Sequence, residues 1–169
     1  MIKKQTVEEF LESVASKSPT PGGGAVAAVT AALASSLVEM VCNLTIGKKS
    51  YVEVEPKMKQ VAARMQEIRM ELMDLADADS DAFQKVMESY KTEDKAKIKA
   101  AIYWATEVPQ KTADLAKEIQ AAALEIAPLG NRNAYSDAMS AEHLAVAATE
   151  AAMENVEINK KTLAAIGES

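Results

Sequence analysis

The stretch that decides the fold is Ala25–Ile46, AVAAVTAALASSLVEMVCNLTI, which directly follows the loop Ser18-Pro19-Thr20-Pro21-Gly22-Gly23-Gly24. Small residues at this density suit a central helix that other helices surround on all sides. The stretch is also long and apolar enough to resemble a membrane span. Because Ala, Ser and Thr enter lipid less readily than Leu or Phe, we expect instead a buried helix of a soluble, cytoplasmic protein with no membrane partner.

The composition of the rest of the chain agrees with a helical core. Of 169 residues, 49% are hydrophobic but only 4% are aromatic, so Ala, Leu, Val, Ile and nine Met must fill the interior. These residues favour helices over sheets, and the length suits one domain. We therefore expect residues 1–169 to form a single all-α domain, a bundle of long and short helices. The net charge of −6 argues against a nucleic-acid partner.

Capping residues and prolines predict the helix boundaries. Thr6 and Glu9 form a capping-box pattern, and Pro56 suits the first turn of a long helix. From Val61 to Tyr90 apolar residues recur at intervals of three and four, which is the helical period. The other predicted boundaries are a helix start near Ala25, a helix end at Gly47, an N-cap at Thr92, a kink or interruption at Pro109, a helix end at Pro128–Asn131 and an N-cap at Ser136.

The three consecutive glycines before the apolar helix have two interpretations. Free backbone N–H groups at a helix start can hold an anion, and Gly22, Gly23 and Gly24 would let a ligand approach them closely. Alternatively, the glycines form a tight turn where two helices pack against each other. The glycines alone do not separate the two interpretations.

Asp79 is the most informative acidic residue. It falls where the apolar stripe of its helix requires another core residue, between Leu75 and Ala82. A buried carboxylate needs partners, and burial raises its pKa toward values that suit acid–base catalysis. Either the helix rotates here or Asp79 points into a polar interior site. The neighbouring Asp74 and Asp81 fit a solvated face.

Further polar residues cluster in the second half of the chain. Asn131 and Ser136 are explained by a helix-ending turn followed by an N-cap, and Asp137 then interacts favourably with the helix dipole. Asn155 and Asn159 lie four residues apart, so they either bond a neighbouring backbone or face a ligand. The chain contains one cysteine and one histidine, which favours neither a disulfide, a metal site nor a catalytic triad.

Taken in order, these motifs resemble the formiminotetrahydrofolate cyclodeaminase / methenyltetrahydrofolate cyclohydrolase family. The resemblance covers nearly the whole chain. A serine that is common after the glycines in that family is Ala25 here. The motifs are Pro19–Gly24 with Val26-Ala27-Ala28, Met40-Val41, Asn43–Lys49, Asp77-Ala78-Asp79 with Ala82-Phe83, Val108-Pro109, Gly130-Asn131 with Ser136-Asp137, and Asn155-Val156 with Ile158-Asn159.

The resemblance implies an all-helical homodimer that binds a reduced folate and needs no metal or redox cofactor. It implies Asp79 as the acid–base group, with Asp77 or Asp137 as a second carboxylate. The implied substrate-binding residues are Gly22, Gly23 and Gly24 through their backbone, Lys48 and Lys49 for the glutamate tail, Asn131 and Asn155 for orientation, and Ser136.

Two reactions fit this resemblance. We expect cyclisation of 5-formiminotetrahydrofolate to 5,10-methenyltetrahydrofolate with release of ammonia. The alternative is hydrolysis of 5,10-methenyltetrahydrofolate to 10-formyltetrahydrofolate, which uses the same bridged compound. A third possibility is a non-catalytic helical module in which the glycine loop is structural.

Overall fold

The structure, a computed structural model, describes residues 1–167. Within this range it contains five α-helices and no strand, which confirms the predicted all-α fold. Three short 3₁₀ turns occur at Ile2–Lys4, Lys49–Tyr51 and Arg132–Ala134. The helices are α1 (Val7–Val14), α2 (Gly23–Asn43), α3 (Glu55–Tyr90), α4 (Lys95–Ile126) and α5 (Tyr135–Gly167).

The apolar helix α2 contacts three other helices, but it is not covered on all sides as predicted, because Leu33 remains 57% exposed. It packs against α3, α4 and α5, and it buries small residues such as Ala28, Ala31 and Ala34 on those sides. Small side chains let the helix axes approach closely, which explains the alanine-rich sequence. By length and composition α2 is the one helix among residues 1–167 that is suited to cross a membrane, and 56% of its most apolar window is buried inside the protein.

The long helices α3, α4 and α5 pack against α2. The stripe on α3 is buried as predicted at Val61, Met65, Ile68 and Leu72, so the first half of the helix follows the bundle core. Toward its end the helix leaves the core, and Tyr90 is 45% exposed rather than buried. The second half of α3 therefore carries apolar side chains that are exposed and can contact a ligand.

Several predicted boundaries are confirmed and others are wrong. The capping box of Thr6 and Glu9 is present at α1. The cap of α4 is Asp94, whose carboxylate accepts the N–H groups of Ala96 and Lys97, so the prediction of Thr92 is wrong. Ser136 is likewise not an N-cap, because α5 already begins at Tyr135.

The central helix also has slightly different ends from those predicted. It begins at Gly23, with Gly22 as its N-cap, so two of the three glycines are helical. It ends at Asn43, before the predicted stop at Gly47. Gly47 lies in the following loop with a φ of 78°, a left-handed conformation that glycine adopts without strain.

Pro109 does not interrupt α4, which runs through it from Lys95 to Ile126. Proline has no N–H, so the carbonyl of Ala105, one turn earlier, loses its helical donor. The side-chain amide of Asn159 on α5 supplies the missing bond, with Nδ2 2.8 Å from the Ala105 oxygen. A residue of one helix thereby compensates for a proline in its neighbour.

Candidate active site

A cavity of about 390 Å³ opens where the glycine loop meets α3, α4 and α5. Its walls come from four separate parts of the chain, which only the packing of the bundle brings together. The lining residues are Pro19, Thr20, Gly22, Gly23 and Gly24 of the loop and the start of α2; Asp79, Ala82, Phe83, Val86 and Tyr90 of α3; Ile102 and Ala105 of α4; and Asn155, Ile158, Asn159 and Thr162 of α5.

Asp79 is held at the N-terminus of α2. Its Oδ2 accepts the backbone N–H of Ala25 at 3.0 Å, one of the groups that a helix start leaves unpaired. Within residues 1–167 its Oδ1 receives no hydrogen bond. One carboxylate oxygen thus fixes the side chain, and the other is available to a molecule in the cavity.

Gly24 makes this close approach possible. A Cβ atom at this position would overlap the Asp79 carboxyl group, with Cγ only 2.6 Å away. At Gly23 a Cβ would make an ordinary contact, 3.5 Å from Nδ2 of Asn155. Of these two positions only Gly24 requires glycine, and the cause is the Asp79 carboxylate rather than the backbone conformation.

The environment of Asp79 favours its protonated form. Burial raises its pKa above the usual value of 3.8, because the cavity wall replaces water around the charge. The bond from the Ala25 N–H opposes this effect, since it stabilises the ionised form. A carboxyl group whose pKa is raised in this way is suited to accept and return a proton.

Two asparagines of α5 line the cavity, and Asn155 lies beside Gly23. Nδ2 of Asn155 donates to the carbonyl of Ala151 at 2.9 Å, and Nδ2 of Asn159 donates to the carbonyl of Ala105. These bonds fix the orientation of both amides. Each Oδ1 oxygen then remains as an acceptor for a polar hydrogen of a ligand.

The remaining wall of the cavity is mostly apolar. Phe83, Val86, Tyr90, Ile102 and Ile158 form it, and Phe83, Tyr90 and Ile158 are more than a third exposed. Apolar and aromatic walls with a few fixed polar groups are typical of sites for flat organic molecules. Within residues 1–167 no group of three or more His, Cys, Asp or Glu side chains is arranged to hold a metal ion.

The predicted site residues do not all meet at this cavity. Gly22, Gly23, Gly24, Asp79 and Asn155 do. Asp77 lies two residues from Asp79 and faces a neighbouring cavity, where its Oδ1 accepts the backbone N–H of Ile2 and its buried Oδ2 has no partner among the described residues. The second carboxylate that the sequence suggested therefore lies on the other side of the loop.

The other five predicted residues lie at the opposite end of α2. Asn131 donates its backbone N–H to Oγ1 of Thr45 and its Nδ2 to the carbonyl of Leu44, which fixes the turn before α5 to the end of α2. A helix of 21 residues is about 30 Å long. The residues at this far end are Lys48 and Lys49, which are exposed, with Asn131, Ser136 and Asp137.

Several lining residues were not predicted as site residues. Phe83 and Ile158 belong to the motifs that carry the family resemblance but were given no role, and Tyr90 was assigned to an apolar stripe. Their exposure in the folded chain distinguishes all three from core residues. Asn159 is the exception, because its spacing from Asn155 pointed either to a backbone bond or to a ligand. The structure shows the backbone bond and also places Asn159 in the cavity wall.

Comparison with known proteins identifies the family of the chain. The family model described as formiminotransferase-cyclodeaminase matches residues 6–165. The chain belongs to this family. The resemblance indicated by the ordered motifs is thus confirmed. Nearly the whole chain takes part in the match, from the capping box of α1 to the last turns of α5.

Named relatives of this family member include two kinds of protein. The chain is 41% identical to methenyltetrahydrofolate cyclohydrolase of Methylorubrum extorquens, over 96% of its own length and 83% of that protein. It is 29% identical to formimidoyltransferase-cyclodeaminase of Mus musculus over 91% of its length, but it spans only 30% of the mouse protein. Both relatives are enzymes.

A solved structure matches the whole fold. The crystal structure of formiminotetrahydrofolate cyclodeaminase from Thermotoga maritima has a TM-score of 0.93 and 38% sequence identity, and the match covers 96% of this chain and 81% of that one. The chain is therefore an enzyme of a folate one-carbon family with the all-helical cyclodeaminase fold.

Proposed function

We propose that this enzyme is a methenyltetrahydrofolate cyclohydrolase, which hydrolyses 5,10-methenyltetrahydrofolate to 10-formyltetrahydrofolate. The sequence alone led us to expect the cyclodeaminase first. The chain is 41% identical to a protein named methenyltetrahydrofolate cyclohydrolase and covers 83% of that protein's length. This similarity favours the hydrolysis reaction over cyclodeamination. The observation that carries the proposal is the Asp79 carboxylate, fixed by one oxygen at the edge of a cavity with apolar walls.

The charge of the cavity fits this substrate. Asp79 is the one acidic side chain among the described lining residues, and no Lys or Arg is among them. The methenyl bridge of the substrate carries a positive charge shared by its two nitrogens. A single carboxylate in a largely apolar site attracts such a cation and interacts with it more strongly than it would in water.

The reaction then requires a proton acceptor for water. The water oxygen forms a bond to the bridge carbon, and Asp79 accepts one of the water protons. The bond from the carbon to N5 breaks, and Asp79 returns its proton to N5. The second water proton leaves as the carbonyl forms, so the reaction consumes only water and releases one proton. Proton transfer by a positioned side chain contributes about 10²–10⁴-fold to such rates.

The remaining cavity residues have matching roles. The wall of Phe83, Tyr90 and Ile158 is suited to the flat ring system, and the fixed Oδ1 oxygens of Asn155 and Asn159 are suited to its N–H groups. Positioning of this kind lowers a barrier by several kcal/mol when it holds the reacting atoms in line. The backbone of Gly23 and Gly24 allows the ligand to approach the helix start.

Cyclodeamination of 5-formiminotetrahydrofolate is the second candidate. The match to the Thermotoga maritima cyclodeaminase, with a TM-score of 0.93, favours it. Here N10 attacks the carbon of the protonated formimino group, and the bond from that carbon to the formimino nitrogen breaks. Asp79 would accept the N10 proton and pass it to the departing nitrogen, which leaves as ammonia. The same bridged cation is the product, and the site would stabilise its positive charge.

Turnover of the two folates tests the proposal. The methenyl compound absorbs light that its hydrolysis product does not, so accelerated loss of this absorbance on adding enzyme is expected. Appearance of the absorbance from 5-formiminotetrahydrofolate would instead assign the cyclodeaminase. An enzyme that changes neither folate and binds neither would refute both assignments and leave a non-catalytic helical module.

A further inference from the structure

The N-terminal segment, residues 1–5, packs against α3 through the 3₁₀ turn Ile2–Lys4. The backbone N–H of Ile2 donates to Oδ1 of Asp77, and Nζ of Lys3 forms an ion pair with Asp74 at 2.6 Å. Ile2 is the one residue of this turn that is buried. The segment is therefore held by a carboxylate that lies two residues before Asp79 on the same helix.

Ile2 packs beside the helix start that holds Asp79. It belongs to a small buried cluster with Ala25 and Ala28 of α2 and Ala76 of α3. Ala25 donates its N–H to Oδ2 of Asp79 at 3.0 Å, and Ala76 lies three residues before Asp79. Ile2 thus packs among residues of both helices that this hydrogen bond joins.

The start of α2 has few side chains of its own to hold it in place. Gly22, Gly23 and Gly24 carry none, and Gly22 caps the helix without a side-chain hydrogen bond. Such a turn loses more conformational freedom on folding than one with side chains, so it depends on its neighbours. Ala25 is the first residue of α2 whose side chain can pack, and its methyl group lies in the cluster that contains Ile2.

Asp77 and Asp79 face different cavities. Asp79 lines the cavity of about 390 Å³, whereas Asp77 lines a second cavity of about 310 Å³ whose walls include Ile2, Thr20 and Pro21. Oδ1 of Asp77 accepts the Ile2 N–H, and its buried Oδ2 has no partner among the described residues. The place of Asp77 is therefore suited to hold the N-terminal segment rather than to exchange a proton in the cavity of Asp79.

We propose that Asp77 and Ile2 are positioning residues for the Asp79 carboxylate. Asp77 holds the N-terminal segment, and the segment places Ile2 against Ala25. Ala25 in turn presents its N–H to Asp79. The effect on turnover rests on the proposed function, whereas the effect on the Ala25 N–H does not. A displacement of about 1 Å can lower a rate by about 100-fold, so support from outside the cavity can determine kcat.

Substitutions of Asp77 separate support from proton transfer. Asparagine keeps an oxygen that can accept the Ile2 N–H but cannot serve as an acid or a base, whereas alanine removes the acceptor. We expect Asp77→Asn to retain most of the wild-type kcat. Asp77→Ala should lower kcat by about 10–100-fold with little change in KM. Equal losses in the two variants would overturn the proposal, because they would assign proton transfer to Asp77.

Asp74→Ala is the matched control for Asp77→Ala. It removes a carboxylate of the same helix that also binds the N-terminal segment, but through an ion pair with Lys3 at the surface. Exposed ion pairs contribute little to stability, so this variant should keep the wild-type kcat. A loss as large as that of Asp77→Ala would contradict a specific role for the Ile2 contact.

Exchange of the Ala25 amide hydrogen with solvent, measured by NMR, tests the support in the absence of any folate. Asp77→Ala and Ile2→Ala should each accelerate this exchange about tenfold, the factor that corresponds to the loss of one hydrogen bond. Asp77→Asn should leave the exchange rate unchanged. So should Val7→Ala, a matched truncation at a side chain that is 77% exposed. Wild-type exchange in both Asp77→Ala and Ile2→Ala would refute the proposal.

A second amide distinguishes local support from a general loss of stability. Ile68 is fully buried in the middle of α3, and its amide should exchange at the wild-type rate in every variant. Equal acceleration at Ile68 and Ala25 would show that the substitutions only destabilise the fold, which would contradict the positioning role.

The conservative variant Ile2→Leu completes the test. Leucine keeps the apolar volume, so it should restore most of the kcat and of the Ala25 protection that Ile2→Ala loses. If Asp77→Ala does not fold, this pair decides the proposal, and equal kcat values for the pair would refute it. If the wild type turns over neither folate, the proposed function fails. Exchange at Ala25 then still decides whether Asp77 and Ile2 hold the start of α2.

Discussion

The site residues predicted from the sequence lie at two opposite ends of α2 in the structure, and the two ends differ in how their polar groups are used. At the first end the carboxylate of Asp79 has one bond within the described chain and faces an open cavity. At the second end Asn131 uses its backbone N–H and both side-chain groups, in bonds to Thr45, Leu44 and Asn133. Polar groups whose hydrogen bonds are all made within the protein stabilise the fold, whereas a polar group that lacks a partner can form a hydrogen bond with a ligand.

The two ends also differ in charge. The cavity end offers an acid without a base, and the far end offers two exposed lysines beside a closed network. This difference predicts that substitutions at the first end change catalysis with little change in stability. Substitutions in the network of the second end should do the reverse.

The largest expected effect is that of Asp79→Asn. Loss of the proton acceptor should lower kcat by about 10²–10⁴-fold. The asparagine Oδ1 can still accept the Ala25 N–H, so the fold is kept. Asp81→Asn, an exposed change one half-turn further along α3, is the control and should keep full activity. Full turnover by Asp79→Asn would remove Asp79 from the mechanism.

The pH dependence of Asp79 follows from its raised pKa. The ionised form accepts the proton, so kcat should fall as the pH drops through a pKa above the usual 3.8. A folded-state pKa above the unfolded one means that the native state binds this proton more tightly. Ionisation at neutral pH therefore lowers stability. Asp79→Asn, which cannot ionise, should unfold at the same or a higher temperature than the wild type at pH 7.

Gly24→Ala is expected to have the next largest effect. The new methyl group would displace the Asp79 carboxyl group from the Ala25 N–H, and a misplacement of about 1 Å can lower a rate by about 100-fold. Stability should change little, because the displaced atoms end a side chain that can rotate. Gly23→Ala has room for its methyl group and should remain active. Equal loss in both variants would point to the backbone instead.

Much of the fold could be predicted because it depends on local patterns. The alanine-rich helix, the capping box at Thr6 and the apolar stripe of α3 each follow from neighbouring residues. The wrong N-caps show the limit of such patterns. Thr92, Asp94 and Ser136 all have suitable side chains, and the chain path that selects Asp94 depends on how α3 ends.

The site was predicted only in part, because its residues meet through packing. Asp79 was visible as a carboxylate on an apolar stripe, and its pairing with the start of α2 was not. The amide of Asn159 bonds a carbonyl 54 positions earlier in the chain, and no local pattern contains that partner. The motif order indicates which residues matter, but it does not give their distances.

Thr45→Val tests the hydrogen-bond network at the C-terminal end of α2. Valine keeps the shape of the buried threonine but leaves the backbone N–H of Asn131 without its acceptor. An unsatisfied buried donor costs about 1–3 kcal/mol, so denaturant unfolding should show a loss of that size. Thr149→Val is the control, because its hydroxyl bonds only the carbonyl of Ala145 within α5. Equal effects of the two changes would mean that the Asn131 turn does not depend on this bond.

The smallest expected effect is the coupling between Asn159 and Pro109. In the wild type, Asn159→Ala leaves the carbonyl of Ala105 without a donor, which should lower stability by about 1 kcal/mol. In a Pro109→Ala background the new N–H of residue 109 can bond that carbonyl within α4.

Asn159→Ala should then have little effect on unfolding, and the two changes should not be additive. Residues in contact typically show coupling energies of about 0.5–3 kcal/mol in such a cycle. Because Asn159 also lines the cavity, activity separates its two roles. If the double variant regains stability but not turnover, the Asn159 oxygen acts on the substrate. If it regains both, Asn159 serves only to complete the helix around Pro109, and its place in the cavity wall has no part in binding.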